Sequence, residues 1–203
     1  MNTHLDHLVI AAASLEQGVA WCEATLGVTP GSGGRHALMG THNRLSRIAT
    51  DAFPDAYLEI IAIDPQAAPA GRVRWFGLDD PARQAQLRES GPRLIHAVAR
   101  TAQGPLAWQI LLREDGELEC GGALPTLIQW EGRHPAHSMP ESGLALRSLT
   151  LHGVPERARE LLKLRGVDVY AGPGPALQAV LSTPLGDVTL DSGALAPPRN
   201  PDT

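Results

Sequence analysis

A chain of 203 residues, 43% of them hydrophobic and 19% charged, is long enough to bury a substantial core and ordinary in composition for a globular protein. Its formal charge of −5, with no basic cluster, excludes phosphate-driven binding of nucleic acid, and no apolar run reaches membrane-spanning length. Cys22 and Cys120 lie far apart without a metal-type spacing and read as reduced thiols; Met1-Asn2-Thr3-His4 lacks the basic start of a signal peptide, so a cytoplasmic location is expected.

The first element is an alternating strand, Leu5-Asp6-His7-Leu8-Val9-Ile10-Ala11. Side chains alternate faces along a strand, so His7 is expected beside Leu5, Val9 and Ala11, with Asp6 on the opposite face beside Leu8 and Ile10. Ser14 followed by Gln17 makes a capping box, and Leu15, Val19, Cys22 and Leu26 recur at helical spacing before Gly27, which predicts a helix over Ser14 to Leu26. A glycine-rich loop, Gly31 to Gly34, leads to short strands predicted over Arg35 to Met39 and Asn43 to Ala49. The next strand, Tyr57-Leu58-Glu59-Ile60-Ile61-Ala62-Ile63, places Glu59 on the face of Tyr57 and Ile61, where an unpaired carboxylate costs several kcal/mol to bury. The central expectation is that His7 and Glu59 meet in one cavity and share a metal ion or a polar ligand.

Past Asp64 the texture changes at Pro65, Pro69 and Gly71. Asp80 before Pro81 starts a helix that ends at Gly91. Arg93 to Thr101 reads as a strand carrying His96, Pro105 to Arg113 as a helix, Leu124 to Trp130 as a strand and Arg133 to Gly143 as a loop in which His134 and His137 are surface histidines. The last third follows the first in outline: a strand over Leu144 to Leu151, a helix over Pro155 to Leu164, and strands at Asp168 to Tyr170, Leu177 to Ser182 and Asp187 to Asp191. In this repeat Ser148 falls opposite His7, and Asp191 approximately opposite Glu59. The expected organisation is an N-terminal βαβββ module (residues 1–64), a middle segment (65–143), a C-terminal βαβββ module (144–193) and a disordered tail (194–203), forming one globular unit.

The order strand, helix and three strands, twice, with a His on the first strand and a Glu on the fourth, resembles the vicinal oxygen chelate superfamily, to which glyoxalase I and extradiol dioxygenases belong. More narrowly, Gly33-Gly34-Arg35-His36, Gly40-Thr41-His42-Asn43 and Tyr57-Leu58-Glu59-Ile60 resemble the glyoxalase-like domain proteins, as do Leu124-Pro125, Trp130 and His134-Pro135. The resemblance covers most of the chain up to Ser192 and implies an α+β fold of paired βαβββ modules. These form a cupped, open-barrel mixed sheet with helices outside, here with a middle insert.

The resemblance further implies a divalent metal, Zn, Mn, Fe or Ni, held by His and Glu from equivalent strands and chelated by adjacent oxygens of a substrate. His7 and Glu59 match the family positions, Asp191 is the approximate second-module counterpart, and His96 is the alternative if the middle segment supplies the partner strand. His36, Asn43, Tyr57 and Trp130 are the candidate substrate contacts. No nucleotide cofactor is expected, and a homodimer is the expectation from resemblance alone. Two functional classes stay open: a metal-dependent lyase, isomerase or dioxygenase, and a non-catalytic protein that binds or sequesters a small molecule. A domain with a closed cavity that serves in assembly is a third.

Overall fold

The computed structural model describes residues 3–101, 109–110, 115–130 and 132–193. Among the described residues, two sheets and three α-helices make an α+β fold. The first unit runs β1 (Thr3–Ala11), α1 (Leu15–Leu26), β2 (Arg35–His36), β3 (Thr41–Arg47) and β4 (Tyr57–Ile63). Ser14 Oγ caps α1, accepting from the Gln17 amide at 3.2 Å as expected; Gln17 Oε1 reaches one residue beyond the N-cap and accepts from the Ala13 amide at 2.9 Å, while Gly27 closes the helix at φ 71°. Gly18 lets α1 lie close on the sheet, since a Cβ there would stand 2.4 Å from Ile60 Cγ2. The turn between β2 and β3 falls earlier than expected, over residues 37–40, where Gly40 takes φ 57°, so that β3 starts at Thr41.

A second helix, α2 (Pro81–Ser90), is capped by Asp80, whose carboxylate accepts from the Ala82 amide at 2.9 Å. Then come β5 (Arg93–Thr101), β6 (Gln109–Ile110) and β7 (Thr126–Gln129). The helix expected over 105–113 is therefore a strand at Gln109–Ile110, paired antiparallel with β7, and the rest of that prediction lies outside the described residues. The last unit is β8 (Ala145–His152), α3 (Glu156–Leu162), β9 (Val167–Tyr170), β10 (Leu177–Thr183) and β11 (Gly186–Asp191); the expected disordered tail lies outside the described residues.

The main sheet has the order β2-β3-β4-β1-β5-β7-β6. It is symmetric about the antiparallel β1·β5 contact, with β4 parallel to β1 on one side and β7 parallel to β5 on the other. The middle segment is therefore the partner of the first module within the cup. The C-terminal unit forms its own sheet, β11-β10-β8-β9, behind it. Leu8, Ile10, Leu58 and Ile60 of the main sheet share one buried core with Cys22 and Leu26 of α1 and with Leu149, Leu177 and Leu181 of the second sheet. On the opposite face Val9, Ile61, Ile95 and Val98 pack with Phe76, Leu78 and Leu87 to form the floor of the cup. Among the described residues no helix is long and apolar enough to cross a membrane.

Candidate functional site

The site begins with an irregularity in β1. Leu5 pairs with Ala99 and His7 with Val98, so Asp6 is an extra residue in the ladder, a β-bulge. The bulge resets the alternation: Leu5 joins Leu8 and Ile10 in the rear core, while Asp6 turns to the same side as His7. The expectation that Asp6 faces away from His7 is thus overturned, and the reason is one residue of slack between β1 and β5. Asp6 is fully buried and works as a hub. Its Oδ1 accepts from His7 Nδ1 at 2.7 Å, and its Oδ2 accepts from Trp130 Nε1 at 2.7 Å and from His134 Nε2 at 2.9 Å. His134, expected on the surface, is buried, and its other nitrogen accepts from the Ala136 amide at 3.2 Å, which fixes its tautomer. His137 is the half-exposed one, 3.2 Å from Asp55 Oδ1.

With Nδ1 committed to Asp6, His7 presents Nε2 to Glu59 Oε2 at 3.5 Å. Both side chains are buried. Glu59 Oε1 accepts from Asn43 Nδ2 at 2.6 Å, and Asn43 Oδ1 accepts from the Gly34 amide at 2.7 Å. Gly33 is required beside this contact, since a Cβ there would come within 2.0 Å of the Asn43 carbonyl oxygen. His36 Nε2 lies 3.3 Å from Asn43 Nδ2, and its Nδ1 is 2.9 Å from Thr41 Oγ1. Tyr57 stacks on His7 with ring centroids 4.6 Å apart, and Trp75 packs edge-on against His36.

Burial disfavours the charged form of each group, and the contacts between them decide otherwise. For His7 the burial cost is outweighed by the hydrogen bond and charge of Asp6, then Glu59, which hold its pKa up at about 9. For Glu59 burial is overcome by His7 and then Asn43, and its pKa is lowered. Asp6, buried but bonded by His134 and His7, is held below the usual carboxylate range. Burial, aided by the positive charge of His7, lowers His36, so this imidazole is neutral near pH 7. Burial first, then the charges of Asp6 and Glu59, push the Tyr57 phenol well above its ordinary value. The floor of the site is thus an imidazolium clamped between two carboxylates. Above it lies a cavity of about 320 Å³, within the range of small-molecule sites. His36, Asn43, Tyr57 and Trp130 all line it together with His7 and Glu59.

The other two candidate ligands do not join this pair. Asp191 sits exposed on β11 of the second sheet, its Oδ1 accepting from the Gly193 amide at 2.8 Å. His96 does occupy the position related to His7 by the symmetry of the main sheet: His7 pairs with Val98 and Val9 with His96. The equivalence extends outward, for Glu59 is the parallel partner of Val9 and Thr126 is the parallel partner of Val98. The second half of the cup therefore offers His96 and Thr126 where the first offers His7 and Glu59. His96 is committed at both nitrogens: Nδ1 meets the Gly122 carbonyl at 2.9 Å, and Nε2 meets the Thr126 amide at 3.1 Å and the Thr126 hydroxyl at 2.8 Å. Burial lowers its pKa to about 4, so it is neutral. Among the described residues no three His, Cys, Asp or Glu side chains are grouped to hold a cation. Two donors fall short of the three protein ligands of an open catalytic metal site, so these residues do not fit a chelated divalent ion.

Reading the sequence missed Asp6 and His134. Asp6 gave no signal, because a bulge leaves the alternating pattern of the sequence intact. His134 had one, its place beside Pro135 in a segment that resembles the glyoxalase-like proteins.

Compared with known proteins, residues 5–105 and 81–164 match the sequence model of a family described as a glyoxalase-like domain. No curated protein matches the chain. Among solved structures, a hypothetical protein from Staphylococcus aureus aligns over 96% of this chain and 88% of its own at 13% identity and a TM-score of 0.52. A methylmalonyl-CoA epimerase of Streptomyces coelicolor, in complex with 2-nitronate-propionyl-CoA, covers 63% of this chain and 97% of its own at 17% identity and a TM-score of 0.40. The methylmalonyl-CoA epimerase from Mycobacterium tuberculosis covers 63% and 88% at 16% identity and a TM-score of 0.38.

Proposed function

The chain belongs to the glyoxalase-like domain family of the vicinal oxygen chelate superfamily, and on that premise we propose that it is an isomerase or lyase that moves a proton on a small carbonyl compound bound over His7 and Glu59. The observation that carries this reading is the buried Asp6–His7–Glu59 array at the floor of a cavity. Asp6 accepts the hydrogen bond of His7 Nδ1–H, so the second imidazolium proton, on Nε2, points at Glu59 and the cavity. A substrate carbonyl oxygen that accepts this proton as a hydrogen bond sits against a fixed positive charge. That charge stabilises the enolate oxygen as the adjacent carbon loses its proton, the task that a metal performs elsewhere in the superfamily.

Glu59 is the proton acceptor. Its carboxylate is a weak base while His7 bonds it, because that contact lowers its pKa. When a substrate oxygen takes over Nε2, Glu59 loses this partner and its basicity rises, so binding of substrate itself activates the base. The proton passes from carbon to Glu59 Oε2 and returns to the same or a neighbouring carbon, or a leaving group departs from the enolate. Asn43 holds the other carboxylate oxygen, and His36 and Trp130 wall the position where the remainder of the substrate lies.

The aromatic lining of Tyr57, Trp75, Phe76 and Trp130 favours a second reading, a protein that binds a flat molecule without chemistry. Hydrogen exchange at carbon separates the two. In deuterated buffer, proton NMR of acetoin and other small hydroxyketones is expected to lose the signal of the acidic C–H faster with wild-type protein than with buffer or with Glu59→Gln. Compounds that raise the melting temperature but show no accelerated exchange would establish the binding reading and sink the catalytic one.

A further inference from the structure

A second cavity of about 480 Å³ lies beside the first, and Phe76 lines both. One wall is Leu118, Leu124 and Leu127. The other is the apolar stripe of α3, Ala158, Leu161 and Leu162, spaced i, i+3, i+4. A stripe of this kind ordinarily closes on a sheet, yet α3 contributes no buried residue and Leu161 is 63% exposed. Among the described residues, these two apolar walls line a space that close packing has not filled. The polar groups at its base ask nothing of a ligand, because His96 and Thr126 satisfy each other.

The partition has a feature of its own. Phe76 sits at φ 59°, a left-handed conformation that costs a bulky residue on the order of 1–3 kcal/mol. It is held there between Trp75, stacked at 5.6 Å, and the His96 ring at 5.4 Å, and the next amide, Gly77, donates to the Gly116 carbonyl at 2.8 Å. An aromatic side chain on a strained backbone is kept where the two cavities adjoin.

We infer that the second cavity receives the apolar tail, alkyl or aryl, of the same molecule whose carbonyl head lies over His7 and Glu59, with Phe76 as the side chain the tail passes. The position of the head rests on the proposed function; the tail site rests on the two walls and on Phe76. The substrate class is then a carbonyl compound carrying a long apolar substituent.

The test uses displacement of the neutral fluorophore N-phenyl-1-naphthylamine from the full chain by straight-chain methyl ketones from pentanone to dodecanone. Each added methylene is expected to tighten binding by about fourfold, the equivalent of ~0.8 kcal/mol per buried CH2, until the cavity is full. Leu161→Glu, at an exposed position, is expected to weaken the long ketones at least tenfold and to leave the short ones unchanged, and Ala158→Trp to lower the chain length at which the gain stops. His7→Gln should weaken all members alike and keep the slope. An affinity independent of chain length, or a slope that both Leu161→Glu and Ala158→Trp leave intact, overturns the tail site. A normal slope that His7→Gln does not offset instead refutes the head position, and with it the proposed function.

Discussion

At the scale of residues, the site turns on three buried charges that no single residue would support. Isolated, each of Asp6, His7 and Glu59 would be driven neutral by burial; together they stay ionised because each hydrogen bond favours the charged form of both partners. The consequence is a defined pH dependence. His7 binds its proton more tightly folded, with a pKa of about 9, than unfolded, near 6.5. Its contribution is therefore complete below about 6.5 and is lost as pH rises toward 9, an effect on the order of 3 kcal/mol. Asp6 and Glu59 have the opposite sign: their folded pKa values are depressed, so their contribution is present above about pH 4 and lost under stronger acid. Urea midpoints measured from pH 5 to 9.5 should fall between 7 and 9, and His7→Gln, less stable throughout, should flatten that fall. An unchanged slope in His7→Gln would mean that other groups carry it.

At the scale of elements, the decisive contact is β1 against β5. The elements themselves could mostly be read in advance, because capping residues, helical spacing and strand alternation are local, and Ser14, Gly27, Asp80 and Gly91 act where the sequence puts them. The pair His7 and Glu59 was also readable, since two polar residues on apolar strand faces need each other. Pairing between strands is not local, and there the sequence left two partners open: the echo between the first and last thirds pointed to Ser148 and Asp191, the middle segment to His96, and the partner of β1 is β5 with His96. The symmetric register makes a prediction. Thr126 stands where the first half has Glu59, so Thr126→Glu should place His7, Glu59, His96 and a fourth donor around the symmetry axis. Zinc or manganese should leave the melting temperature of the wild type unchanged. At a hundredfold excess over Kd the same ions should raise that of Thr126→Glu by about 5–10 °C. Combining the change with His7→Gln should remove the effect. Stabilisation of the wild type by these ions, lost in His7→Gln, would show that His7 and Glu59 alone suffice to hold a metal.

At the scale of the molecule, the C-terminal unit supports the cup without lining the His7 cavity, and it does so through a core that crosses between the two sheets. Leu149 and Leu181 of the second sheet belong to the same buried cluster as Leu8, Leu58 and Ile60, which lie directly behind the strands that carry His7 and Glu59. Stripped of that unit, the main sheet would present a row of fully buried leucines and isoleucines to water, and the first two units are therefore expected not to fold without it. The chain should accordingly unfold in one step, with the site lost in the same transition as the second sheet. Leu149→Ala, at a position 1% exposed and remote from the cavity, should cost about 2–5 kcal/mol. Hydrogen exchange should then quicken by a common factor at the amides of β8 and β10 and at those of β1 and β4, because all open through one global event. If exchange quickens in β8–β11 alone while β1 and β4 keep their protection, the two sheets are separate cooperative units and the site does not depend on the second for its stability.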